Sequence, residues 1–138
     1  MTTVLLVEDY APNCRLLSFV LEQHGYAVVC ARDGVHALEH LQTMPIDVIV
    51  TDLIMPRLDG IGLAEQVRAD ARFHHMPIIM VTASGKECDA VRAAEASVDV
   101  FLTKPVESDD LVRAVGQVVA RDQGRSSPLQ RWRHSRVA

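Results

Sequence analysis

Five short runs rich in apolar and β-branched residues recur along this chain: VLLV at 4–7, YAVVCA at 26–31, IDVIVT at 46–51, IIMVT at 78–82 and VDVFLT at 98–103. Each is too short for an ordinary helix and shows little polar alternation, so each reads as a strand covered on both faces. Between them the apolar spacing becomes helical. Leu16, Leu17, Val20 and Leu21 follow Pro12 and stop at Gly25, and Leu38 and Leu41 follow a capping Asp33 and stop at Pro45. Proline is tolerated in a first helical turn, and glycine supplies a left-handed stop. Ile61, Ala64 and Val67 mark a third helix, and Cys88, Val91 and Ala94 the inner stripe of a fourth. Leu111, Val115 and Val118 mark a fifth, with Ser108 as its N-cap and Asp109 and Asp110 at its positive end. Strict strand–helix alternation predicts a parallel sheet with helices on both faces, because parallel strands need crossovers and those are right-handed.

The 138 residues, 49% apolar, suit a single closed core. No apolar stretch approaches the ~18 residues of a membrane span, and the start MTTVLLVEDY lacks a basic leader, so neither membrane insertion nor a signal peptide is expected. The expected location is cytoplasmic. Cys14, Cys30 and Cys88 are odd in number and widely spaced, which suits buried thiols in a reducing compartment better than disulfides or a zinc site. Residues 1–120 carry 9 Lys and Arg against 17 Asp and Glu, a balance of −8, and are expected to form the domain. Residues 121–138 carry five Arg against Asp122, a balance of +4, and are expected to form a basic mobile tail. An acidic body argues against nucleic-acid binding by the domain itself, since that affinity comes chiefly from cations on phosphates. For the tail, an arm reaching nucleic acid, a membrane surface or an acidic partner, with Trp132 as anchor, stays open.

Four of the strands end on groups that carry chemistry. The first delivers Glu8 and Asp9, the third Asp52, the fourth the hydroxyl of Thr82 and the fifth Lys104. In open α/β sheets ligands bind outside the carboxyl ends of the strands. Taken singly, each residue is an ordinary solvated cap, strand exit or loop lysine. Together they suggest a site for a hard divalent cation, because three crowded carboxylates repel unless a cation compensates. With charge neutralised, Asp52 can act as a nucleophile on a phosphoryl group, while Lys104 and Thr82 each meet one of its oxygens.

These residues fall in motifs that resemble the receiver domain of the two-component response-regulator family. The matching stretches are Glu8-Asp9, the run from Asp52 to Gly60 (DLIMPRLDG), Val81-Thr82-Ala83, and Phe101 to Pro105 (FLTKP), together spanning nearly the whole chain. The resemblance implies an α/β, flavodoxin-like (βα)5 fold, a doubly wound parallel five-stranded sheet in the order 2-1-3-4-5. It implies that Asp52 accepts a phosphoryl group from a sensor histidine kinase or a histidine phosphotransfer protein. Mg²⁺ would be held by Asp9, Asp52 and the backbone carbonyl of Ile54, with Glu8 acting through water. Thr82 and Phe101 would switch the face of helix four, strand five and helix five toward a downstream output protein, and a phosphorylation-dependent homodimer is allowed. A cis Lys104-Pro105 bond is also implied. The chain would catalyse its own phosphorylation and slow dephosphorylation, without ordinary turnover.

Some positions depart from the family's pattern. Ser97 stands where a glycine favouring positive φ is usual, and Val106 replaces an aromatic after Lys104-Pro105. Ile54 has no polar group to orient a hydrolytic water, which suggests a long-lived phosphoryl group. Ile54 also weighs against an aspartyl-phosphate phosphatase, which would need a second acid there. A receiver fragment of a longer DNA-binding regulator is the remaining alternative. His24, His36, His40, His74, His75 and His134 show no repeating ligand spacing and read as solvated or capping residues.

Overall fold

A computed structural model describes residues 1–83 and 86–124. The elements run β1 (Thr3–Val7), α1 (Ala11–Gln23), β2 (Ala27–Ala31), α2 (Gly34–Thr43), β3 (Val48–Thr51), α3 (Gly60–Ala69), β4 (Ile78–Thr82), α4 (Glu87–Glu95), β5 (Val100–Thr103) and α5 (Ser108–Gly124). The strands pair in the order β2-β1-β3-β4-β5, every neighbour parallel. Alternate residues of a strand point to opposite faces, and here both faces are apolar. Leu5, Val7, Ile49, Ile78 and Met80 pack beneath α2, α3 and α4, while Val4, Leu6, Val48, Val50, Ile79 and Val81 pack beneath α1 and α5. Each large side chain so covered contributes about 1.5–3 kcal/mol.

The parallel register is what brings the strand ends level. Val7 stands beside Thr51, Thr51 beside Met80, and Thr82 beside Thr103. The residues that follow are therefore delivered to one rim. At the opposite rim Arg68, in the last turn of α3, donates to the carbonyls of Ser97 (2.7 Å), His74 (3.1 Å) and Met76 (2.6 Å), and to Asp99 Oδ2 (3.1 Å). The same Asp99 oxygen accepts the N–H of Ile78 at 2.8 Å.

Most boundaries lie within two residues of expectation, and Gly25 turns α1 with φ +88°. Ser97 does adopt positive φ, +59°. Several inward assignments need correction. Leu16 is 62% exposed, because Cys14 and Leu21 define the buried side of α1. On α4 the buried residues are Ala93 and, just beyond, Ala96, while Cys88, Val91 and Ala94 face outward. In so alanine-rich a helix, Val91 misplaced the expected stripe. Ser108 is the first residue of α5, and the carbonyl of Glu107 before it accepts from Leu111. The helix continues to Gly124, past the expected end of the domain at 120. The rest of the expected tail, residues 125–138 with Trp132 and His134, lies outside the described residues.

The cysteine expectation is also overturned. Cys14 and Cys30 are joined as a disulfide with their Cα atoms 6.8 Å apart, and Cys30 and Cys88 are exposed. Cys30 shares a sheet face with Val28, under α1, so two residues sixteen apart in sequence meet across the helix–strand contact. Among the described residues no helix is long and apolar enough to cross a membrane.

Candidate functional site

Two backbone hydrogen bonds extend the strand pairing past the strand ends. The N–H of Asp52 donates to the carbonyl of Val7 at 3.1 Å, and the N–H of Lys104 to that of Thr82 at 2.7 Å. They bring the side chains of three strand exits together. Lys104 Nζ lies 2.9 Å from Asp52 Oδ2 and 3.5 Å from Glu8 Oε2. Lys104 thus bridges two carboxylates from neighbouring strands. Glu8 is only 6% exposed, and its Oε1 accepts the N–H of Tyr10 at 3.1 Å. Asp9 beside it faces solvent, and Thr82 is buried.

The charge balance is incomplete. Burial pushes the Glu8 carboxyl above its usual range, and the charges of Asp52 and Asp9 push the same way, although Tyr10 N–H and Lys104 oppose them. For Lys104, burial favours the neutral amine, but the hydrogen bond to Asp52 and the charges of Asp52 and Glu8 outweigh it and raise its pKa. The Lys104 ammonium stands between two carboxylates, and Asp9 adds a further negative charge beside Glu8. That oxygen-rich, under-compensated cluster fits a hard divalent cation. Among the described residues no three His, Cys, Asp or Glu side chains form a metal cage by themselves. A Mg²⁺ site is not required to, since such sites use one or two carboxylates and complete the shell with carbonyl, water and phosphate oxygens.

The loop after β3 turns back over Asp52. The N–H of Ile54 approaches Asp52 Oδ1 at 3.4 Å, and the Ile54 side chain is 69% exposed. The N–H of Gly60 donates to the carbonyl of Leu53 at 2.8 Å, closing the loop. A side chain at Gly60 would collide with the backbone carbonyl of Asp52, so only glycine lets α3 start there. Phe101, opposite Met80 in the register, is half-buried against the α2–α4 side of the core. Lys104-Pro105 is cis, as expected. Beside Lys104, a groove of about 440 Å³ runs between Leu16 and Leu17 of α1 and Pro105 and Val106.

Every expected site residue therefore lies at or next to the carboxyl rim, except Phe101, which sits within β5. Sequence reasoning missed Asp33 as more than a cap, since it is also paired with Arg57. The sequence disclosed only its capping role, which the structure shows as the N–H of His36 donating to Asp33 Oδ1 at 2.8 Å. Among the described histidines, His24 and His74 bond backbone carbonyls of their own turns, and His36 accepts the N–H of Arg32.

The sequence profile of the response regulator receiver domain matches residues 4–116. The chain is 34% identical over 122 residues to the chemotaxis protein CheY of Pseudomonas aeruginosa, covering 88% of this chain and 98% of that one. It is 36% identical over 134 residues to the transcriptional regulatory protein GlrR of Escherichia coli, covering 97% of this chain but 29% of GlrR. Among solved structures, the signal receiver domain of a signal transduction histidine kinase from Syntrophus aciditrophicus superposes with a TM-score of 0.85 at 28% identity, covering 92% of this chain and 96% of that one.

Proposed function

Since the chain belongs to the response regulator receiver domain family, we propose that it receives a phosphoryl group on Asp52 and passes the signal on by changing shape. The observation that carries this is the contact of 2.9 Å between Lys104 Nζ and Asp52 Oδ2, with Glu8 buried beside it. An oxygen of the Asp52 carboxylate attacks the phosphorus of a phosphohistidine, the P–N bond breaks, and an acyl phosphate forms on Asp52. The donor is a sensor histidine kinase or a histidine phosphotransfer protein. Lys104, held 2.9 Å from Asp52 Oδ2, stabilises charge on the incoming phosphoryl oxygens. The Thr82 hydroxyl holds another of those oxygens.

Asp9, Asp52 and the carbonyl of Ile54 would hold Mg²⁺, with Glu8 acting through water. The ion, when bound, supplies charge neutralisation among the acids and to the phosphoryl oxygens. Thr82 and half-buried Phe101 then bias a population shift that remodels the face of α4, β5 and α5 for an output protein or a second copy. The setting is cytoplasmic. The domain comprises residues 1–120 with the end of α5.

The test is the intact mass after incubation with acetyl phosphate and Mg²⁺. The expected result is one added phosphoryl group, absent in Asp52→Ala. A wild-type chain that gains none would overturn the proposal. The apolar, exposed Ile54 predicts a slow loss of that group from the isolated protein, and rapid loss would contradict this role. The match to 29% of GlrR favours a second reading, in which the chain is the input part of a longer DNA-binding regulator. Gel shifts then show only weak, salt-sensitive binding by this chain.

A further inference from the structure

Arg57 lies in the loop between β3 and α3 with φ +67°, a left-handed conformation that is costly for any residue with a Cβ. Its guanidinium forms a two-pronged contact with one carboxylate. Nε donates to Asp33 Oδ2 at 2.9 Å and Nη2 to Asp33 Oδ1 at 3.1 Å. Asp33 is 3% exposed and already caps α2, accepting the N–H of His36 at 2.8 Å. The next residue, Gly34, donates its N–H to the carbonyl of Leu58 at 3.1 Å. Two consecutive residues at the entrance of α2 therefore grip two consecutive residues of the loop. An exposed ion pair is ordinarily weak. This one is bidentate, with its acid fully enclosed, and it holds a backbone that would otherwise relax.

The gripped loop is the one that folds over Asp52. Ile54 cannot hold its own place, because its side chain projects into solvent. Its backbone is located by the anchors on either side: the closure of Leu53 on Gly60, the buried Met55, and the Arg57–Asp33 pair. We infer that Arg57 is a positioning residue, whose bidentate pairing with Asp33 ties the β3–α3 loop to α2 and so fixes the Ile54 backbone as a cation ligand beside Asp52. This rests on the roles of Asp52 and Ile54 proposed above.

Mg²⁺ titration of the full chain by calorimetry, without any phosphodonor, tests the inference. Arg57→Gly removes the donor while suiting the positive φ, and Asp33→Asn keeps a good helix cap while removing the charge. Both variants are expected to stay folded and to weaken Mg²⁺ binding roughly tenfold, as loss of outer-shell support does. The double variant should be no weaker than either single one, and saturating Mg²⁺ should restore the rate of phosphorylation by acetyl phosphate. Folded variants that bind Mg²⁺ within about twofold of wild type would overturn the inference, as would a wild type that binds none. Should Arg57→Gly fail to fold, Asp33→Asn decides alone. A wild type that binds Mg²⁺, weakens as expected in the variants, yet takes no phosphoryl group would sink the role of Asp52 and leave the clamp standing. Normal phosphorylation with unshifted Mg²⁺ binding would do the reverse.

Discussion

The two rims of the sheet each carry a cation set among acceptors, but they balance differently. At the amino rim Arg68 spends its donors on three backbone carbonyls and on Asp99, whose carboxylate also receives the N–H of Ile78. There the guanidinium is met by a carboxylate and by backbone carbonyls. At the carboxyl rim Lys104 stands between Glu8 and Asp52, with Asp9 adding charge nearby. An ion pair that is complete holds the fold, whereas one that falls short of neutrality leaves room for a cation and a phosphoryl group.

The contrast can be broken from either side. The largest effect should come from Asp52→Asn, which abolishes phosphoryl acceptance measured by intact mass. It should change unfolding free energy by less than about 1 kcal/mol, because the Lys104–Asp52 pair is partly solvated. Next is Arg68→Ala, which strands Asp99 and three carbonyls. It should cost about 3 kcal/mol in urea unfolding while leaving Mg²⁺ affinity and phosphorylation at wild-type levels. If Arg68→Ala silenced the site, the division between the rims would fail.

Smaller effects sharpen the same contrast. Glu8 has a raised pKa in the fold, so the folded chain binds more protons than the unfolded one just above the usual carboxylate range, and stability falls as pH rises through it. Glu8→Gln should therefore stabilise the Mg²⁺-free protein at neutral pH, by on the order of 1 kcal/mol. A loss of stability in thermal melts would refute the crowding of acids at this rim. The smallest effect concerns Asp33, where burial favours the acid form but the His36 N–H and Arg57 prevail and lower its pKa. Its contribution is complete above the ordinary aspartate value and fades as pH falls through the lower, folded one. Asp33→Asn should accordingly lower stability at pH 7, where that contribution is complete, and converge on wild type as pH falls, which flattens the acid limb of a stability-versus-pH curve.

Much of this was legible in the chain itself. Runs such as VLLV and IIMVT announce buried parallel strands, and the residues at their exits name the site, because a parallel register brings consecutive strand ends level. The residues that escaped notice share a cause. Arg57 with Asp33, Arg68 with Asp99 and Cys14 with Cys30 are all pairs made between separate elements, and neither partner has a distinctive neighbourhood in sequence. Leu16 and Val91 misled because apolar residues do not have to face inward. On short or alanine-rich helices a single outward one shifts the apparent stripe.

Gly60 bears on how this protein would tolerate change. Its missing side chain is the space through which the main chain of Asp52 passes. Saturation mutagenesis scored by signalling output would therefore rank position 60 among the least permissive, level with the acids, although glycine brings no reactive group. Tolerance maps drawn from such data would mistake a matter of clearance for one of chemistry, and only a readout of folding alongside would separate them.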